Sequence, residues 1–163
     1  MNAKTGNGYW IPSDASATNP QSWISNTSIS EMLANINSKQ MVVISDSCYS
    51  GTFTKEQKVF LNTHNIKPDD ILGKRSVVVM ASGGDEPVSD EGRGGHSIFA
   101  WFLMQAIQNV ENWKIGANIF EQIQKDVKKS FPQVPQYGVA PSARHQDGGD
   151  YLFEFRQLES VGN

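Results

Sequence analysis

One thiol dominates the chemistry open to this chain. Cys48 is the single cysteine in 163 residues, in the string Ser45-Asp46-Ser47-Cys48-Tyr49-Ser50-Gly51, directly after the apolar run Met41-Val42-Val43-Ile44. A lone cysteine excludes an intrachain disulfide and a multi-cysteine metal cluster; it suits a reducing compartment such as the cytoplasm, or a chemically used thiol. Free cysteines are commonly small buried hydrophobes. Cys48, however, lies beyond the apolar run among Ser, Tyr and Gly, where a thiol is reachable and a following helix N-terminus would favour the thiolate. On the residues alone, both roles stay open.

A second apolar run, Ser76-Val77-Val78-Val79-Met80-Ala81, breaks in the same way into Ser82-Gly83-Gly84-Asp85-Glu86. If the two runs are parallel neighbours, their following loops meet. Asp46, Cys48 and the acidic residues Asp85, Glu86, Asp90 and Glu91 would then share one rim of a sheet, where α/β proteins collect their chemistry. Each of the four later carboxylates reads equally as part of a solvated loop, and Asp46 as a turn cap.

Spacing tests the other cysteine and ligand chemistries. A C-x5-R phosphatase loop needs Arg at position 54, which is Thr54, and no second cysteine completes a C-x-x-C pair. The chain has no G-x-S-x-G, no Walker loop and no H-E-x-x-H, and Gly92-Arg93-Gly94-Gly95 does not follow a strand. Nucleotide and zinc sites are therefore not expected, and no metal site is assigned.

The elements that must position these residues alternate between helix and strand. Gly8 to Pro12 reads as an edge strand or hairpin arm leading into a Ser/Asn/Thr-rich loop. Ser28 and Glu31 have capping-box spacing, and Ile29, Met32, Leu33 and Ile36 give a helical stripe, predicting a helix near 29 to 38. The continuous run at Met41 to Ile44 predicts a central strand covered on both faces, and Ser76 to Ala81 a second. Tyr49 to Gly73 reads as a short helix and a long loop. Ser97 can cap a core helix from Ile98 to about Asn109, and Ala117 to Lys129 shows an apolar stripe with Lys128 and Lys129 at its negative end. Pro132, Pro135 and Pro141 punctuate a loop, and Tyr151 to Arg156 alternates as a last strand. The expectation is an α/β domain with a mostly parallel central sheet flanked by helices, one domain over residues 1–163.

Composition narrows the partners. Fourteen Lys and Arg against 17 Asp and Glu give a net charge of −3, with no basic excess for a phosphate backbone, so nucleic acid is not expected. Mean hydropathy is −0.43, and no apolar run approaches the roughly 18 residues of a membrane span. Aromatic content of 10% and clustered apolar runs speak for a folded chain rather than a disordered one.

Taken together, these residues resemble a known family. Asp46-Ser47-Cys48-Tyr49-Ser50-Gly51 after a hydrophobic strand is similar to the nucleophile motif of caspase-like cysteine peptidases, in particular the bacterial metacaspase and orthocaspase branch. Gly8 to Ala15, Trp23-Ile24-Ser25 to Leu33, the strand into Ala81-Ser82-Gly83, and Gly95-His96-Ser97-Ile98-Phe99 resemble further landmarks of that family in the same order, over roughly residues 8 to 110. The resemblance implies a caspase-like three-layer sandwich. It also implies peptide-bond hydrolysis after Arg or Lys, with Cys48 attacking the carbonyl and a histidine acting as base and then acid. It places Asp46 in the pocket for the basic side chain, with Asp85 as the second carboxylate, Glu86 beside it and Ser82 at the same strand end. The family's catalytic histidine lies in a His-Gly element upstream of the Gly8 landmark. His64, His96 and His145 do not occupy that position, so the base is expected from outside this chain, on an upstream segment or on another chain that supplies it. The alternative is a noncatalytic module that binds a peptide or partner through the same cleft. Self-cleavage between Thr52 and Arg75 and calcium binding by Asp85 to Glu91 are open within the family, but no regular ligand spacing supports calcium and no cofactor is assigned.

Overall fold

The computed structural model describes residues 8–48, 67–83 and 92–155, with Cys48 described through its backbone. The chain opens with a small antiparallel pair, β1 (Tyr9–Trp10) and β2 (Ile24–Ser25). The hairpin arm read from the sequence is this pair. An edge-on contact between Tyr9 and Trp23 and a bond from Trp10 Nε1 to Asn26 Oδ1 at 3.0 Å hold it together.

Helix α1 (Asn26–Asn35) follows directly. Its N-cap is Ser25, whose hydroxyl accepts from the Ser28 amide, so the helix starts and ends about a turn before the predicted 29 to 38. Ile29 and Leu33 still face the core, whereas Ile36 falls outside the helix and is exposed.

Strands β3 (Gln40–Cys48) and β4 (Ser76–Gly83) pair in parallel from Gln40 opposite Ser76 onward. The short helix α2 (Pro68–Leu72) precedes β4; residues 49–66 of the predicted helix and loop lie outside the described residues. After β4 come α3 (Ile98–Gln108), β5 (Trp113–Ile115), α4 (Gly116–Ser130), β6 (Gln136–Val139) and β7 (Leu152–Glu154). Ser97 caps α3 as predicted, its hydroxyl accepting from Ala100 N at 2.9 Å. The α4 stripe of Ile119, Phe120, Ile123 and Val127 is buried.

The sheet corrects two expectations. Among the described residues it has three strands in the order β3-β4-β6, and β6 runs antiparallel to β4, so it is mixed rather than mostly parallel. The segment read as a proline-punctuated loop supplies that third strand. Its backbone pairs with Val78 to Ala81 between Pro135 and Pro141, neither of which has to donate within the ladder. Consequently, among the described residues, β4 is the central strand and β3 lies at an edge, with Ile44 43% exposed, while every β4 residue is buried. The predicted last strand forms, but it pairs with β5 in a separate two-stranded sheet.

Alternation along β4 divides the core in two. Met80 packs with Phe99, Leu103, Ile119, Ile123 and Val127 beneath α3 and α4. Val77, Val79 and Ala81 pack on the other side with Met41, Ala140 and Ala143, closed by Ile29 and Leu33 of α1. Helices therefore cover both faces of a strand whose side chains alternate between them, which is why β4 reads as an unbroken apolar run.

Candidate active site

The parallel pair decides where Cys48 stands. Register is regular to Ser45 opposite Ala81, and then Cys48 falls opposite Gly83. Three residues on β3 thus match two on β4, so β3 carries one extra residue between Ser45 and Cys48. A bulge of this kind bends the strand and re-aims the side chains around it. Both strands finish at the same rim, with the backbone of Cys48 at that end.

The bulge is braced on several sides. Ser82 is fully buried, and its hydroxyl donates to the Ser47 carbonyl at 3.0 Å. The Ser82 carbonyl accepts from Gln133 Nε2 at 2.6 Å, tying the strand end to the segment before β6. Ser45 and Ser47 hydroxyls meet at 2.8 Å. Asp46, in the middle of the bulge, is exposed and turned toward α3, where its Oδ2 accepts from Ser97 Oγ at 2.6 Å.

A cavity of about 590 Å³ opens beside this strand end, between the β1/β2 pair and the exposed edge of β3. Tyr9, Trp10, Ile24 and Ile44 give it apolar walls, and Asp46 and Ser47 supply its polar side. A lining that combines aromatic and aliphatic residues with one acidic residue suits a ligand with an apolar stem and a cationic tip.

Two histidines can be placed. His145 is half-buried, and its Nδ1 accepts from the Val77 amide at 3.0 Å. Burial lowers its pKa from the ordinary 6.5, against the charge of Asp147, which raises it. Val77 is at the start of β4 and Gly83 at its end, about 20 Å apart at the usual rise per residue. His145 is therefore a cap on the far end of the sheet. His96 is exposed and directly precedes Ser97. His64, Asp85, Glu86, Asp90 and Glu91 lie outside the described residues. Among the described residues, no three His, Cys, Asp or Glu side chains gather where they could hold a metal ion.

One buried polar centre had no signal in the sequence. Asp150 is fully buried at the start of α4, accepting from Ala117 N at 3.0 Å, Tyr151 N at 2.7 Å and the Tyr137 hydroxyl. It serves as the cap that α4 lacks locally, since Ile115 at the N-cap position has no side-chain oxygen. Gly116 leaves the room: a Cβ there would come within 2.6 Å of the Tyr137 hydroxyl oxygen and 2.8 Å of Asp150 Oδ1.

The described chain thus brings together a bulged strand end that carries a cysteine in its backbone, an aspartate two residues before it and a neighbouring cleft. The model of the caspase-domain peptidase family matches residues 2–144, and the chain belongs to that family of cysteine peptidases. No curated protein and no solved structure matches the chain.

Proposed function

We propose that the chain carries the nucleophile and the charge-selecting pocket of a cysteine endopeptidase of the metacaspase-like branch, cleaving peptide bonds after Arg or Lys. The observation that carries this reading is that β3 and β4 end at one rim, Cys48 opposite Gly83 after the bulge, with Asp46 two residues before Cys48 among the residues lining a cleft.

In this reading the Cys48 thiolate attacks the scissile carbonyl carbon, forming a carbon–sulfur bond. The carbon–nitrogen bond then breaks as the leaving amine takes a proton from the histidine that had accepted it from the thiol. Water hydrolyses the resulting thioester and frees the enzyme. No cofactor enters the chemistry. The bulge exposes the Asp46 carboxylate to the substrate's basic side chain. Ser82 fixes the Ser47 carbonyl and so the chain path into Cys48, and Asp85 and Glu86 are the proposed further pocket carboxylates. The histidine is proposed to come from outside these 163 residues, from the same polypeptide or a second chain, because the resemblance places it in a His-Gly element upstream of Gly8, a position that none of His64, His96 and His145 occupies. The substrate is a peptide or protein, and the proposed compartment is the cytoplasm.

The test uses the full encoded protein and peptides carrying Arg or Lys before a fluorogenic amide. Cys48→Ala should lower kcat/KM by about a thousandfold or more. Asp46→Ala should impair turnover of these peptides far more than it slows alkylation of the thiol by iodoacetamide. Unchanged turnover in Cys48→Ala would contradict the proposal, and wild-type peptide binding without cleavage would favour a noncatalytic module using the same cleft.

A further inference from the structure

Ser97 uses its hydroxyl twice. As the N-cap of α3 it accepts the Ala100 amide at 2.9 Å, and its own proton goes to Asp46 Oδ2 at 2.6 Å. Capping needs only the oxygen lone pair, so the contact with Asp46 is not a requirement of the helix. It spans 51 positions in sequence and falls in the range of hydrogen bonds strengthened by a full charge. The serine is well anchored, because Ile98 and Phe99, the next two residues, are buried at 5% and 0% exposure. Asp46 has no such anchor of its own, being exposed on a bulge. Among the described residues, its other oxygen, Oδ1, makes no hydrogen bond, and Asp46 is one of the residues that line the adjoining cavity.

We propose that Ser97 is a positioning residue for substrate recognition: by holding Oδ2, it directs the carboxylate of Asp46 toward the guanidinium or ammonium group of the substrate. The inference rests on the proposed pocket role of Asp46. Without the serine the carboxylate samples its staggered rotamers freely, and binding a cation must first order it. The loss falls on binding more than on the chemical step, because Ser97 touches neither the thiol nor the scissile bond in the proposed mechanism.

Two variants separate this role from helix capping. Glycine is a tolerated N-cap that lacks the hydroxyl, and threonine keeps both functions. In the full encoded protein, Ser97→Gly should raise KM for an arginyl coumarylamide peptide about tenfold, with a smaller change in kcat and little change in thermal midpoint. Ser97→Thr should restore wild-type KM. Benzamidine, a small cation probe, should bind about tenfold more weakly to Ser97→Gly, and its affinity should fall in Asp46→Asn. Unchanged KM and benzamidine affinity in Ser97→Gly would overturn the proposal. So would a loss of activity and thermal stability that threonine fails to restore. A wild-type protein that cleaves nothing, yet binds benzamidine through Asp46 and Ser97, would sink the peptidase reading and leave the positioning role standing. No benzamidine binding at all would sink the positioning role.

Discussion

Asp46 and Asp150 are two carboxylates in opposite surroundings. Asp46 is exposed and meets one hydroxyl, whereas Asp150 is fully buried and meets three donors. Burial raises the Asp150 pKa above the ordinary 3.8, against those donors, which lower it. Burial likewise pushes Tyr137 well above 10.0, reinforced by the charge of Asp150, so the phenol keeps its proton at neutral pH. The folded chain then holds the Asp150 proton more tightly than the unfolded chain does. The stability due to this group is full below the ordinary carboxylate value and is lost as pH rises through the raised one. In urea unfolding, the stability of wild type relative to Asp150→Asn should therefore shrink as pH rises from about 4; a difference that grows with pH would contradict this. The sequence exposed Asp46 as a candidate because of its distance from Cys48. It could not expose Asp150, because Gly148-Gly149-Asp150 has the composition of an ordinary turn and its three donors come from residues 117, 137 and 151.

Arg75 does for α1 what Asp150 does for α4, at the opposite pole of a helix. Its Nη1 donates to the carbonyls of Ile36 at 3.1 Å and Ser38 at 2.6 Å, and its Nη2 to Leu33 at 2.9 Å. Leu33 lies in the last turn of α1, and Ile36 and Ser38 in the segment leaving it, so the guanidinium adds a second donor to the Leu33 and Ile36 carbonyls and pins the helix end. Arg75→Ala should cost about 2 kcal/mol of unfolding free energy. Arg75→Lys should recover less than half of that, because an ammonium cannot spread donors across three carbonyls as a planar fork does. Equal stability of the lysine variant and wild type by urea denaturation would contradict the capping role. Helices α3 and α4 were legible because their apolar stripes alone specify which face is buried. The end of α1 was not, since Arg75 lies 39 positions from Ile36. Strand β6 was hidden by its flanking prolines and by Gly138, and β5 by its length of three residues.

At the scale of the whole molecule, the family and the layered α/β arrangement were readable from ordered motifs and from continuous apolar runs. The mixed direction of the sheet was not, because strand direction is fixed by how the chain returns after α4 rather than by any residue of β4. No helix among the described residues is long and apolar enough to cross a membrane. The two core clusters on either face of β4 hold its C-terminal end in place, and the bulge of β3 is latched to that end through Ser82. The bulge that carries Asp46 and leads into Cys48 thus leans on the most buried strand, the rigid support that a preorganised site requires. The most direct measurement is mass spectrometry of the full encoded protein after exposure to a peptidyl-arginine chloromethyl ketone, with a peptidyl-leucine analogue as control. The account predicts a single adduct on Cys48, formed much faster with arginine than with leucine and slowed by Asp46→Ala. Equal labelling by both reagents, or an unmodified Cys48, would contradict it.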